Sequence, residues 1–363
     1  LVYSTDLGRT MKSMDGGATW TSVYSRKEGA AYTSTGLDVT TDYGVHFDPF
    51  DAKRWFITYT DVGLFRSDDA GRTWVSSTAG VPRRLVNTTY WVEFDPEVRG
   101  RMWGAMSRTH DLPRDKMWRR AAPSSFEGCL FRSDDGGVNW RMAGDAITDG
   151  APTHLLLDPS SPKDKRTLYA AVFGRGVYKS TDDGNTWTPK NKGIEGTEPF
   201  AWRLARTPSG VLYLVVSRRS NTIPGALYRS TDAAETWTRV TLPEGLIFPN
   251  GILIDAKDEK RFYIAAWPRA TGIKGEGGGI WLTTDEGRTW KQIFSRDQHV
   301  YDVTGDPRNP NVLYASGFES SAWRSADRGA TWARIPGYNF KWGHRVIADP
   351  FDAKQVFITT FGG

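Results

Sequence analysis

The sequence predicts an all-β fold, a seven-bladed β-propeller of four-stranded blades. Three observations predict it: an octapeptide that returns seven times, apolar strands ending in Asp-Pro ahead of most copies, and 16 Trp with 38 Gly in 363 residues. Trp and Gly at that density suit many short strands joined by tight turns, with large flat side chains filling the space between sheets. At 39% hydrophobic and 25% charged the chain has ample material for a core, and no apolar run approaches the ~18 residues of a membrane helix. The single Cys129 excludes an intrachain disulfide and any cysteine-built metal site. A net charge of +5 leaves a small basic surplus with no block of consecutive Lys or Arg, which argues against a nucleic-acid partner. The expectation is a monomer, one domain over 1–363, with no membrane segment.

The octapeptide has the form Ser/Thr-x-Asp-x-Gly-x-Thr-Trp. It reads SMDGGATW at 13–20, SDDAGRTW at 67–74, SDDGGVNW at 133–140, STDDGNTW at 180–187, STDAAETW at 230–237, TTDEGRTW at 283–290 and SADRGATW at 325–332. Each copy reads as a hairpin turn. Its Asp accepts hydrogen bonds from the loop backbone, its Gly takes positive φ, and its Thr-Trp opens the next strand.

The rest of the unit falls around this turn. A first strand ends in Asp-Pro, as in YGVHFDP at 43–49 and YWVEFDP at 90–96. A second follows, such as WFITYT at 55–60, and a third (LFRS, VYKS, LYRS) leads into the box. Four strands in a unit of about 50 residues is blade arithmetic. First strands begin near 43, 90, 153, 202, 250, 299 and 344, and the last unit ends at Gly363 without a box. Because the first box lacks a first strand, the chain termini are expected to share one blade and seal the ring. Residues 1–4 and 356–360 compete for the second strand of that blade; an eight-bladed ring is the alternative.

The octapeptide resembles the Asp-box, or BNR repeat, of sialidases, of glycoside hydrolases of family 74 that act on xyloglucan, and of sortilin-type receptors. In those families the box lies away from the active site, so the resemblance implies a structural role for Asp15, Asp69, Asp135, Asp182, Asp232, Asp285 and Asp327. Residues 44–66 are similar to the opening blade of family 74 hydrolases, where Arg-Thr-Asp-x-Gly-Gly carries a catalytic carboxylate. Asp61 matches within Tyr59-Thr60-Asp61-Val62-Gly63-Leu64, with Tyr59 in place of the Arg and Leu64 in place of the second Gly. Those enzymes place their other carboxylate in a second propeller, for which this chain has no room. Arg334-Ile335-Pro336 matches a sialidase triplet but follows the last box instead of opening the first blade, so no role is read from it.

In a propeller the first strands line the channel and begin on the functional face. There the sequence places Asp42, Tyr43, Tyr90, Trp91, Thr153, His154, Trp202, Arg203, Asn250, His299, Tyr301, Asp302, Lys341, Trp342, His344 and Arg345. Polar and aromatic groups in every blade suit a ligand pocket for sugars. The loops between second and third strands open on the same face. They include an insertion at 107–127 and carry mostly basic charge, for example Arg108, Arg114, Arg175, Arg218, Arg219 and Arg269, which favours an anionic substrate.

A glycoside hydrolase acting on an anionic or branched poly- or oligosaccharide needs two carboxylates. The candidates are Asp61 with Asp302 or Glu319, and Asp42 as substitute. Tyr43, Trp91, Trp202 and Trp342 would stack on sugars, Tyr90, His154 and Asn250 would line the pocket, and Arg203 and Arg345 would hold an anionic group. A polysaccharide lyase would use His299, His344, Tyr90 or Tyr301 as base with the same arginines. A non-catalytic binding propeller is the third reading. No cofactor is expected; a divalent metal would need His46, His154, His299 and His344 to converge. A polysaccharide substrate implies an extracellular or periplasmic location.

Overall fold

A computed structural model describes the chain apart from residues 1, 7–8, 23–24, 35–39, 115–124, 145–146, 148–149, 197–198, 221, 269–275, 339–341 and 361–363. Its only regular helix among the described residues is a three-residue 3-10 turn at Arg83–Leu85. Blade one runs outward through Asp42–Phe47, Trp55–Tyr59, Leu64–Ser67 and Val75–Ser76, each strand antiparallel to the last. Blades two to six repeat that order from first strands at Thr88–Phe94, Ala151–Asp158, Ala201–Arg206, Phe248–Ile254 and Val300–Asp306.

The ring therefore holds six blades of four strands, not seven. In the seventh position is a two-stranded sheet, Gly343–Ala348 with Val356–Thr360. Its inner strand packs on the first strands of both blade six and blade one. Phe357 lies 5.7 Å from Phe47 and 5.1 Å from Trp55, and the Thr360 N–H donates to Asp42 Oδ1 at 2.7 Å. The expected shared blade does not form. The third-strand segment Arg9–Ser13 pairs with Val2–Asp6, its nearest neighbour in the chain, instead of with Val356–Thr360. A local hairpin closes a short loop, whereas the shared blade must bring together segments at opposite ends of the chain, at greater entropic cost.

Every box adopts one geometry. In the sixth, the Thr283 hydroxyl donates to Asp285 Oδ1 at 2.8 Å, and Thr289 donates its N–H at 2.9 Å and its hydroxyl at 2.6 Å to the same carboxylate. Those donors favour the anion and hold its pKa down to about 2. The two residues after each Asp have positive φ in all seven copies, from Gly16 and Gly17 to Arg328 and Gly329. Five copies put a non-glycine residue at the first of these positions (Ala70, Asp183, Ala233, Glu286, Arg328), a strain offset by the carboxylate's hydrogen bonds. The box Trp then ties its blade to the one before: Trp187 Nε1 donates to the Ala143 carbonyl at 2.9 Å, Trp237 to Lys190 at 2.8 Å and Trp290 to Thr241 at 3.0 Å. Trp20 of the first box instead bonds to Gly17 of its own loop and stays exposed.

Candidate functional site

Each of the seven first-to-second strand pairs carries a bulge at the same place. The register shifts between Asp42 and Gly44, Thr89 and Trp91, Pro152 and His154, Ala201 and Arg203, Pro249 and Gly251, Val300 and Asp302, and Gly343 and Arg345. A bulge sets two consecutive residues against one partner and breaks the in-out alternation. The extra residues are Tyr43, Tyr90, Thr153, Trp202, Asn250, Tyr301 and His344, and each is followed by a residue of a second layer. Two tiers of side chains thus meet around the channel axis.

The upper tier is aromatic and closed. Tyr43 lies 4.7 Å from Tyr90, 5.4 Å from His344 and 6.5 Å from Trp202, centroid to centroid, and Tyr301 is 5.3 Å from His344. Asn250 Nδ2 donates to the Tyr301 carbonyl at 2.5 Å, and Thr153 Oγ1 to that of Trp202 at 3.0 Å. None of Tyr43, Tyr90, Trp202, Tyr301 and His344 is more than 2% exposed. Burial raises the three tyrosine pKa values and drives that of His344 well below the imidazole range. Nδ1 of His344 donates to the Asp42 carbonyl at 2.8 Å. The insertion covers this tier: the Tyr90 hydroxyl donates to Thr109 O at 2.8 Å and accepts the Leu112 N–H at 3.2 Å, with Leu112 fully buried.

The lower tier is charged. Arg345 Nε lies 2.6 Å from Asp302 Oδ2, and the guanidinium groups of Arg345 and Arg203 stand 5.0 and 5.5 Å from the Trp91 ring. Arg203 also lies 4.2 Å from the ring of Trp202 and donates to the Thr153 carbonyl at 2.8 Å. Two glycines make room: a Cβ on Gly251 would fall 2.3 Å from Asp302 Oδ1, and one on Gly44 would fall 3.3 Å from Arg345 Nη1. His154 is 4.2 Å and His46 4.8 Å from Trp91. Burial and the two arginines hold both imidazoles neutral, His46 at about 3. Glu93, one turn of the pleat beyond Trp91, accepts from Trp91 Nε1 at 3.0 Å and from the Leu157 N–H at 3.3 Å, and burial raises its pKa to about 7.

Outside the tiers, at the mouth, stands Asp61. It lies on the turn between the second and third strands of blade one, at φ 66°, with its side chain 53% exposed. Gly63 is required beside it, because a Cβ there would come 2.3 Å from the Val86 carbonyl. The Thr40 hydroxyl donates to Asp61 Oδ2 at 3.0 Å. His110 Nδ1 lies 3.8 Å from Asp61 Oδ1 and 3.7 Å from Asp111 Oδ2, so one imidazole sits between two carboxylates. Arg114 lies 3.9 Å from Asp111 and reaches the Tyr301 hydroxyl below.

The other predicted residues are dispersed. Asp302 is ion-paired inside the channel, and the Asp42 carboxylate is engaged by the C-terminal strand. Glu319, on the turn of blade six, donates its N–H to Asp297 at 2.9 Å. His299 stacks 5.0 Å from Tyr301 and meets Trp267 edge-on at 4.4 Å, and half-buried Trp342 stacks 6.0 Å from Phe318. Among the described residues no group of three His, Cys, Asp or Glu is arranged to hold a metal, and no helix is long and apolar enough to cross a membrane. Lys341 and Arg269 lie outside the described residues, as does 115–124 of the insertion. The sequence reading did not select Glu93, Gly44 or Gly251, and it took His110 and Asp111 as rim charge. The alternation Trp91-Val92-Glu93 was the available signal for Glu93.

A family model described as sortilin, neurotensin receptor 3, matches residues 175–321. The Acetivibrio thermocellus xyloglucanase Xgh74A is 27% identical over 259 residues, covering 60% of this chain and 29% of its own length. The chain spans between 25% and 36% of the length of the curated xyloglucanases it matches. The crystal structure of the Niastella koreensis family 74 enzyme superposes with a TM-score of 0.60 at 20% identity, over 90% of this chain and 51% of that one. YCF48 from Cyanidioschyzon merolae superposes at 0.62 with 17% identity, over 92% and 97%. The propeller fold is common to these structures.

Proposed function

We propose that this Asp-box propeller is a glycoside hydrolase, or the catalytic propeller of one, cleaving a poly- or oligosaccharide at the channel mouth. The observation that carries the reading is Asp61. It is exposed on a turn held at positive φ, at the position that matches the family 74 carboxylate, and a second carboxylate, Asp111, lies across His110. Both carboxylates stand within 3.8 Å of one nitrogen, so the His110 imidazole links the exposed Asp61 to the buried Asp111 beneath it. Asp61 and His110 are the groups that meet the sugar, one as acid and one as base, and buried Asp111 orients the imidazole from below. Xyloglucan is the substrate the relatives suggest. The basic residues Arg108, Arg114, Arg175 and Arg219 around the mouth favour chains bearing anionic or branched units. Such a substrate belongs outside the cytoplasm.

The test is digestion of neutral and uronate-bearing polysaccharides, following reducing ends and unsaturated-uronate absorbance together. Reducing ends without absorbance, lost in Asp61→Asn and Asp111→Asn, support the hydrolase; absorbance supports the lyase. A second reading, a binding propeller, is favoured by the closed upper tier, which presents no exposed aromatic platform, and by the sortilin model. Saccharide or peptide binding that survives Asp61→Asn, with no turnover by the wild type, selects it.

A further inference from the structure

Arg203 is 7% exposed and points across the channel from blade four to Trp91 of blade two. Among the described residues no carboxylate lies within ion-pair distance of it. The nearest acid of its tier, Asp302, is committed to Arg345 at 2.6 Å. Two guanidinium groups thus share one carboxylate around one indole. The imidazoles beside them, His46 and His154, are neutral, and His46 Nε2 is buried without a hydrogen-bond partner. Nδ1 of His154 accepts the Leu204 N–H at 3.4 Å, so its proton is on Nε2. The remaining acceptors around the two guanidinium groups are the His46 Nε2 lone pair, whose ring donates through Nδ1 to the Val92 backbone, and Glu93, whose carboxyl pKa is raised to about 7 and which accepts from Trp91 Nε1. The tier therefore holds one committed anion for two cations. A buried, uncompensated cation is costly, and its pKa falls accordingly: burial and Arg345 bring Arg203 down to about 9.

We propose that the lower tier is a binding site for a small anion, of carboxylate size or less, which completes the charge balance of Arg203 and Arg345. The site is separate from the mouth and does not depend on the hydrolase reading. The aromatic tier, at most 2% exposed, closes it from above. Further along the same strands Leu156, Ala205, Leu253, Thr304 and Ile347 are part-exposed, so the approach is from the opposite end of the channel. Glu93 stands at the same register position as these mostly aliphatic residues, and a halide, acetate or formate is the size of ion proposed to enter there. A planar carboxylate can take two parallel N–H donors from a guanidinium whose faces are covered by indoles.

The experiment is thermal unfolding of the full chain in sodium gluconate, titrated at constant ionic strength with bromide or with acetate. Expected is a rise in Tm that starts near the Kd and then grows by roughly 2 °C per tenfold anion, linear in the logarithm of its concentration. In Arg203→Met the rise disappears, and in gluconate alone that variant is no less stable than the wild type, because an unpaired buried charge is gone. Crystals of the wild type grown in bromide should show an anomalous peak beside the Arg203 guanidinium. A wild type indifferent to the anion, an equal rise in Arg203→Met, or bromide sites only on the surface would overturn the proposal. The crystallographic arm needs no variant and so decides the matter even if Arg203→Met fails to fold.

Discussion

Adding one methyl group at Gly251 tests how the charged tier is built. Gly251 is not in the left-handed region, so alanine fits its backbone. If chain entropy alone mattered, Gly251→Ala would stabilise the fold by about 0.4–1 kcal/mol. The structure predicts the opposite. The new Cβ would fall 2.3 Å from Asp302 Oδ1, 3.1 Å from its Cα and 3.2 Å from its Cγ. A rotation of the carboxylate relieves the first contact but not the second, so the strand of blade six must also shift. Overpacking of this kind costs about 1–3 kcal/mol. Moving the carboxylate also strains its 2.6 Å pair with Arg345, and breaking a buried pair costs about 3–5 kcal/mol. With the pair partly kept, the net loss should be about 3 kcal/mol.

Urea unfolding followed by tryptophan fluorescence reads this directly, with Gly305→Ala as control. A Cβ on Gly305 would meet only the Leu253 methyl groups, at 3.7 and 3.8 Å, and that variant should stay within about 0.5 kcal/mol of wild type. In an Asp302→Ala background the clashing oxygen is gone, so Gly251→Ala should cost at least 1 kcal/mol less than it does alone. Equal stability of Gly251→Ala and Gly305→Ala, or strict additivity with Asp302→Ala, would refute the packing argument.

Acid should unfold the protein early. His46 and His154 have folded pKa values below the ordinary 6.5, so the unfolded chain binds more protons and stability falls as pH drops below 6.5. His46→Gln should flatten that slope in pH-dependent melting. Glu93 acts in the other direction: its folded pKa of about 7 lies above the ordinary carboxyl value, so its contribution is full below pH 4.5 and lost as pH rises through 7. Relative to Glu93→Gln, the wild type should therefore lose about 3 kcal/mol across that range, measured by urea unfolding at each pH. Finally, Asp285→Ala removes three hydrogen bonds from a turn whose Glu286 is held at φ 63°, and should lower the urea midpoint; an unchanged midpoint would deny the box its structural role.

The blades were legible in the sequence because each carries its own signal: a box with fixed offsets and a strand ending in Asp-Pro. Closure was not, because it depends on which of two strands wins a partner. Val2–Asp6 (VYSTD) and Val356–Thr360 (VFITT) both read as strands, the second the more apolar and β-branched, yet the nearer segment in the chain takes the partner. The channel residues were legible as a set, since all seven bulged positions fall within the stretches read as lining it. Their exposure was not. Whether Tyr43 or Trp202 faces solvent depends on the insertion, and the Leu112 and Thr109 contacts that cover Tyr90 come from a loop with no periodicity. The Asp302–Arg345 pair was hidden for a related reason: its signal is the absence of side chains at Gly44 and Gly251, which a search for functional groups passes over.

The repeated bulge also bears on where chemistry can occur. In an unbulged ring, alternate residues of each first strand would face the channel, leaving gaps of one residue between tiers. Seven bulges in register bring two consecutive residues inward from every strand, so the tiers stack directly and leave no free platform between them. A large substrate then has no route to Asp302, His344 or Tyr301 while the aromatic tier stays intact. The titratable groups left within its reach are those of the turns and the insertion, above all Asp61 and His110. The proposed catalysis at the mouth and the proposed ion binding in the shaft are thus separated by the same feature, and a substitution in one tier should leave the chemistry of the other face unchanged unless it breaches the aromatic layer.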